Sequence, residues 1–168
     1  VSYVTATFKN YDGSQLYQNT QVVSGTTPTY VGSTPSKPQD NTYTYSFTGW
    51  SPALSNITAN TEYTAQFSPV YRNYSVTFRS SVSDPNPSVK SDYHFGDEIT
   101  NKPDVDPIEV LEEDADYYSV FDGWYIVNTD IVFEDGMTVT GDMIFEPRFI
   151  HSNYDTDTVT VNVVGGQG

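Results

Sequence analysis

The feature of this sequence that most restricts its fold is an internal repeat. Three landmarks occur twice in the same order: an alternating segment ending in phenylalanine, an aromatic-x-Gly-Trp cluster, and a longer segment that ends in another phenylalanine. They are Val4–Phe8, Phe47–Trp50 and Ile57–Phe67 in the first copy, and Tyr74–Phe78, Phe121–Trp124 and Val139–Phe149 in the second. A repeated order of this kind predicts two copies of one folding unit.

The spacing of the landmarks predicts the domain boundaries. We expect a first module over residues 1–69 and a second over residues 70–150, joined at Ser68–Tyr71. Because this linker is short, we expect the two modules in an extended, stiff arrangement. Residues 151–168 are interpreted as a polar linker, followed by an added strand or the first strand of a following module.

The composition and the short-range pattern predict strands. Tyr and Phe number 14 and 9, Thr and Val are frequent, and such residues suit a pleated, half-buried surface. Val4, Ala6 and Phe8 alternate with polar residues, as expected for a strand with one buried face. No segment has a clear helical period, and Ile108–Ala115 could form a turn or two at most. The fold class is therefore mainly β, and α+β at most.

The parity of the aromatic-Gly-Trp cluster predicts a β-bulge. Phe47 and Trp50 fall on opposite faces of a regular strand, and a bulge at Gly49 would bring both rings into one core. Two further backbone features follow from residue type. Asp12-Gly13 predicts a tight hairpin turn, and Pro147, which has no N–H, should face an unpaired edge.

The positions that the two copies share are aromatic or turn-forming, which is typical of a folding signature. We therefore interpret them as structural motif residues, with no catalytic, cofactor-binding or metal-binding role. They are Phe8, Phe47, Gly49, Trp50 and Phe67 in the first copy and Phe78, Phe121, Gly123, Trp124 and Phe149 in the second.

Charge and cysteine content exclude several functions. The net charge is −15, and it is concentrated in residues 71–168, which hold five basic and 19 acidic residues against two and three in residues 1–70. Such a surface repels phosphate backbones and anionic membranes, so we expect no nucleic-acid partner. The absence of cysteine excludes disulfides and thiolate chemistry. No apolar run approaches the ~20 residues of a membrane-spanning helix, so we expect no membrane insertion.

One acidic segment is a candidate cation site. Residues 104–116 carry Asp104, Asp106, Glu109, Glu112, Glu113, Asp114 and Asp116. Carboxylates are ligands for calcium, but the spacing differs from that of an EF-hand loop, and a solvated loop is favoured. His94 and His151 lack a metal-ligand spacing and are interpreted as loop residues. No catalytic motif is present, and we expect no enzyme and no cofactor.

Exposed tyrosines provide the alternative hypothesis. Tyr11, Tyr17, Tyr30 and Tyr71 could form a face that binds a carbohydrate or a protein, although single surface aromatics are also ordinary. An intramolecular crosslink from Lys9 would need a buried lysine, and its strand parity points Lys9 outward. The paired carboxylates of a glycoside hydrolase would need a cleft, for which modules of this size leave little room.

Together the opening strand, the Asn10–Gly13 turn, Phe47–Trp50 and the closing strand resemble the Listeria–Bacteroides repeat, or internalin-type B repeat. The second copy keeps Phe121–Trp124 but lacks the Asp-Gly turn after Phe78. The resemblance implies tandem β-grasp-like modules of an exported bacterial surface protein, serving as stalks, spacers or adhesive segments without catalytic residues. The spacer hypothesis predicts a monomer, and the resemblance implies a location outside the cell, with neighbouring modules as partners and a host protein or glycan where the segment adheres. The secretion signal and wall anchor would belong to other parts of the parent protein.

Overall fold

The computed structural model describes residues 1–153 and divides the chain into two compact units. The first is Val1–Arg72 and the second begins at Asn73; we call them module 1 and module 2. The expectation of a strand around Val159–Val163 lies outside the described residues.

Module 1 is one mixed four-stranded sheet. Its strands are β1 (Tyr3–Lys9), β2 (Gln15–Val23), β3 (Tyr43–Ser51) and β4 (Thr61–Tyr71), in the order β2-β1-β4-β3. The central strands β1 and β4 are parallel, and each has an antiparallel partner on its other side. The first and last strands of the module are therefore neighbours.

Module 2 repeats this topology. Its strands are β5 (Tyr74–Phe78), β6 (Ser88–Tyr93), β7 (Tyr117–Ile126) and β8 (Met143–Asn153), in the order β6-β5-β8-β7. Here β5 and β8 form the parallel central pair. The prediction of two mainly β, β-grasp-like modules is confirmed. Residues 1–153 contain no helix, and hence none long and apolar enough to cross a membrane.

Two predicted linkers are wrong. Ser68–Tyr71 is the end of β4, where it pairs with Ser46–Tyr43 of β3, so the units separate after Arg72 rather than after residue 69. Residues 151–153 likewise belong to β8 and pair with Ser119–Tyr117 of β7. In both modules the outer antiparallel pair continues beyond the four-stranded part of the sheet. A proline at position 69 in the first strand end, and three polar residues at 151–153 in the second, did not indicate this continuation.

The bulge predicted at Gly49 is present in both modules. The ladder between β3 and β4 shifts register between Phe47 and Gly49, and the β7–β8 ladder shifts between Phe121 and Gly123. Gly49 and Gly123 have φ values of 144° and 153°, which side-chain-bearing residues rarely adopt. The bulge brings the Phe47 and Trp50 ring centroids to 5.4 Å, as the sequence parity predicted.

Two local predictions about backbone geometry are also confirmed. Gly13 has φ 84° and donates its N–H to the carbonyl of Asn10 at 2.9 Å, closing the hairpin turn between β1 and β2. Pro147 lies in the central strand β8, but β5 pairs with β8 only as far as Phe145. The carbonyl of Phe145 faces β5 and accepts a hydrogen bond from the Arg79 N–H. The backbone of Pro147, two residues further on, faces the same side, where β5 has ended and the edge is unpaired.

Candidate functional site

Most of the ten motif residues pack around the module cores. Phe8 and Phe78 are buried, at 0% and 1% exposure, and Trp124 is 5% exposed. Phe47, Trp50, Phe67, Phe121 and Phe149 are half-buried. The glycines form the two bulges described above.

The tryptophans pack in the cores rather than line a cleft. The Trp50 ring contacts Phe8 and Tyr30, each at a centroid distance of 4.8 Å. Trp124 meets Phe78 edge-on at 5.3 Å, and its indole Nε1 is buried without a hydrogen-bond partner. Trp124 is therefore not available as a stacking platform for a ligand, and the half-buried Trp50 packs against core rings.

The four tyrosines proposed as a binding face do not lie on one surface. Tyr17 and Tyr30 pack against the buried Phe8 ring, at 6.0 and 5.4 Å, so the prediction that they are exposed is wrong. Tyr11 and Tyr71 are 43% and 52% exposed. Neither the alternation of apolar and polar residues nor the nearby turn indicates that the segment around Tyr30 folds over the core.

Tyr11 and Tyr71 border an aromatic surface that the sequence did not reveal. Tyr11 packs on Phe67 at 6.1 Å and Tyr71 on Tyr43 at 4.9 Å. Lys37 lies over the Tyr45 ring, with Nζ 4.2 Å from the centroid, and near Tyr11 at 5.3 Å. This surface combines half-exposed rings with one cation.

Asp40 fixes the loop that carries Lys37 to strand β3. Its carboxylate accepts hydrogen bonds from the Tyr45 hydroxyl at 2.5 Å and from the backbone N–H groups of Tyr43 and Thr42, at 2.7 and 2.9 Å. The hydrogen bond from Tyr45, followed by those from the two amides, lowers the pKa of Asp40. The Arg72 guanidinium donates to the Asp40 carbonyl at 2.6 Å.

We expect the Asp40 contacts to stabilise module 1 only while the carboxyl is ionised. A lowered folded-state pKa means stability that is present above the ordinary aspartate pKa of about 4 and is lost as pH falls through the folded value. Asp40→Ala should therefore lower the module 1 melting temperature at pH 7 more than at pH 2.5. Calorimetry across this range checks it. Tyr45→Phe, which removes one donor, should weaken the pH dependence, and a pH-independent effect of Asp40→Ala would contradict the assignment.

The acidic segment is held to module 2 by one carboxylate. Glu109 accepts a hydrogen bond from the Ser119 hydroxyl and lies 2.8 Å from Nε2 of His151. These two contacts, Ser119 first, lower the pKa of Glu109. The other six acids of the segment, Asp104, Asp106, Glu112, Glu113, Asp114 and Asp116, are exposed.

The histidines and carboxylates give no support to the calcium alternative. Within residues 1–153, no three His, Asp or Glu side chains lie close enough to hold one metal ion. His94 lies in a turn, as expected, and its N–H donates to Asp97 at 2.7 Å. His151 was expected in a loop but lies in β8, where its ring packs on Tyr117 at 4.6 Å. The contact between Glu109 and His151 spans 42 residues, and it could not be read from local sequence.

Lys9 forms an ion pair. Its ammonium group lies 2.8 Å from Glu62 of the neighbouring strand β4, and its side chain is 31% exposed. An exposed ion pair of this type contributes little to stability. The outward orientation expected from strand parity is consistent with this position.

The sequence missed a groove on module 2. It encloses about 540 Å³ and is lined by Arg79, Val82, Tyr125, Ile126, Val127, Asn128, Glu146, Pro147 and Arg148. Arg79 Nη2 lies 3.4 Å from Glu146, and the Arg148 guanidinium lies 4.2 Å from the centroid of the Tyr125 ring. These residues come from β7, from β8 and from the segments that follow β5 and β7, so no linear sequence motif indicates the groove.

Comparisons with known proteins leave the family unassigned. No family model and no curated protein matches the sequence. A solved structure of Streptococcal High Identity Repeats in Tandem (SHIRT) domains 3-4, from a cell surface protein, is similar with 16% identity and a TM-score of 0.35, covering 89% of this chain and 99% of that one. A TM-score this low does not establish a common fold, and the likeness to the Listeria–Bacteroides repeat remains a prediction.

Proposed function

We propose that this chain is a non-catalytic structural segment of an exported bacterial surface protein, in which the two modules act as tension-bearing spacers. The observation that carries the proposal is the parallel pairing of the first and last strand of each module. The resemblance of the repeated motifs to a surface-protein repeat supports the location. The motif positions shared by the two copies serve folding, which supports a role without chemistry.

The parallel pairing determines how a module meets a pulling force. The chain enters module 1 at the start of β1 and leaves at the end of β4, and parallel strands place these two points at opposite ends of the pair. A force along the chain therefore loads the hydrogen bonds between β1 and β4 in shear, so that they share the load. In an antiparallel hairpin pulled at its open end, the bonds break one after another.

In each module, a side-chain hydrogen bond also links the two central strands at the start of their ladder. Asn60 accepts a hydrogen bond from the Thr5 N–H at 2.8 Å, and Asp142 does the same for Ser75 at 2.9 Å. The β1–β4 ladder spans four register pairs and the β5–β8 ladder three. Module 2 therefore has the shorter sheared pair.

In single-molecule pulling from the termini, we expect two unfolding events, with module 2 unfolding at the lower force. Each released residue adds about 3.3–3.6 Å of contour length, which identifies the module that has opened. Asn60→Ala should lower only the force of module 1, and Asp142→Ala only that of module 2. Both variants remove a side-chain acceptor for a backbone N–H at the start of the central pair, an amide in module 1 and a carboxylate in module 2.

The control changes the pulling direction and leaves the fold intact. The chain has no cysteine, so Ser2→Cys and Ser24→Cys provide unique handles at adjacent ends of β1 and β2, where Ser24 N–H donates to the Ser2 carbonyl at 2.9 Å. Pulling there unzips an antiparallel pair and should open module 1 at a clearly lower force. Equal forces in the two directions would contradict the tension-bearing role.

An adhesive role is the second candidate, favoured by the aromatic surface of module 1. Tyr11, Tyr45 and Lys37 present half-exposed rings and a cation, the mixed chemistry that protein and sugar ligands both use. The partner would be a host protein or a glycan. Retention on such a partner that is lost in Lys37→Ala would support this candidate.

A further inference from the structure

We propose that the groove of module 2 binds an uncharged sugar unit, with Arg79, Glu146 and Arg148 as the hydrogen-bonding residues. This goes beyond the spacer role and concerns a different module from the aromatic surface. The groove encloses about 540 Å³, within the range of small-ligand sites.

The groove exists because a strand ends early. The β5 ladder stops at the pair Phe78–Phe145, so the following stretch of β8 lacks a neighbour on that side. Pro147 sits in this stretch and offers no N–H, so an added peptide strand would lack a backbone donor there. The open position is consequently suited to a small ligand.

Most of the polar lining lies on the face of the sheet opposite the core. Side chains alternate along a strand, so Arg79 and Glu146, which follow the buried Phe78 and Phe145, point away from the core, as does Tyr125 opposite Glu146. The Arg148 side chain follows the same alternation. The groove thus presents guanidinium, carboxylate and phenol groups together.

Arg148 and Tyr125 already have hydrogen-bond partners, whereas Arg79 and Glu146 are only partly satisfied. Arg148 donates to Asp130 at 2.9 Å and to the Thr129 carbonyl, and Tyr125 donates its hydroxyl to Asp122 at 2.7 Å. Arg79 contacts Glu146 from Nη2 at 3.4 Å, and its Nε is buried without an acceptor. Because this single contact is long, the Arg79 guanidinium keeps donors, and the Glu146 carboxylate keeps acceptors, for a ligand.

The charge balance selects the class of ligand. An anion would compete with Glu146 and Asp130 for the arginines, within a half of the chain that holds five basic and 19 acidic residues. A cation would face two guanidinium groups. An apolar ligand would strip water from three charged side chains that line the groove, Arg79, Glu146 and Arg148, without replacing the lost hydrogen bonds. A neutral ligand with several hydroxyl groups satisfies both donors and acceptors, which is the chemistry of a sugar.

Module 1 provides a natural comparison at the same positions. Lys9, Thr64 and Gln66 occupy the places of Arg79, Glu146 and Arg148, and Ser51 that of Tyr125. Lys9 there pairs with Glu62. The triple variant R79K/E146T/R148Q therefore gives module 2 the residues that module 1 carries at equivalent positions, which should keep the sheet folded.

The test is a titration of the isotope-labelled full chain, followed by two-dimensional NMR. The probes are methyl glycosides of glucose, galactose, mannose and N-acetylglucosamine, with glucuronate as the charged counterpart. We expect saturable shifts at Arg79, Tyr125, Asn128 and Arg148 with at least one neutral glycoside, and weaker binding of glucuronate. The triple variant should raise the Kd roughly tenfold or more, since hydrogen bonds to charged groups are lost.

Each other outcome overturns the proposal. Absence of shifts with all four glycosides would show that the groove takes no sugar. Tighter binding of glucuronate would make it a carboxylate site. An unchanged Kd in a triple variant whose melting temperature is preserved would place binding elsewhere. Shifts confined to Tyr11, Lys37 and Tyr45 would instead support the adhesive candidate, and the spacer role would be untouched by any of these results.

Discussion

Replacing Phe8 with alanine is expected to destabilise module 1 by about 3–5 kcal/mol, the usual effect of deleting a fully buried phenylalanine. Phe8 is 0% exposed and is the centre of the module 1 core. Its ring stacks on Tyr63 at 5.0 Å and meets Trp50 at 4.8 Å, with Tyr17 and Tyr30 at 6.0 and 5.4 Å. Removing the Phe8 ring therefore deprives four aromatic rings of a packing contact at once.

The same substitution should leave module 2 unaffected. The two hydrophobic cores share no residue, and each contains one of the two tryptophans. Denaturant unfolding followed by Trp50 fluorescence in a Trp124→Phe background, and the reverse, reports each module separately. Phe78→Ala is the matched change in module 2, where the ring stacks on Phe145 at 4.7 Å.

The contradicting result is a shift of both transitions by either variant. Phe8→Ala and Phe78→Ala should each lower the midpoint of one tryptophan signal and leave the other within error. A common shift would mean that the modules unfold as one cooperative unit. A loss well below 2 kcal/mol would mean that the surrounding rings collapse into the vacated space.

The fold prediction depended on short-range patterns in the sequence. The paired landmarks gave two modules because each copy contains the residues that close its own core, and parity at Phe47 and Trp50 required the bulge at Gly49. The turn at Gly13 and the open side of Pro147 follow from backbone chemistry that a single residue type dictates. These features depend on neighbours in sequence, so the sequence displays them.

Features that depend on distant segments were not predictable in this way. His151 and Ser68–Tyr71 look like linkers, yet both are strand ends held by partners far along the chain. Tyr30 is covered because its loop folds back on Phe8, a contact over 22 positions with no periodic signal. The groove of module 2 depends on where β5 stops relative to β8, a question of register between strands 65 or more residues apart.

The two bulge glycines should respond differently to the same substitution. Alanine at Gly49 or Gly123 must adopt φ near +144° or +153°, a strained region that typically costs 1–3 kcal/mol. A Cβ at Gly49 meets nothing within 4 Å, whereas one at Gly123 would lie 2.9 Å from Cγ2 of Val132. We therefore expect Gly123→Ala to destabilise module 2 by about 1 kcal/mol more than Gly49→Ala destabilises module 1.

A double variant separates backbone strain from the clash. Val132→Ala removes the methyl group in question, so adding Gly123→Ala to it should produce only the loss seen for Gly49→Ala, as a double-mutant cycle in denaturant would measure. If Gly123→Ala were no more destabilising than Gly49→Ala, the segment that carries Val132 would have to move away from the new Cβ at no cost in stability. If neither substitution had an effect, the positive φ at these two glycines would not be a strained conformation for alanine. The two bulges, one in each module, would then not require glycine.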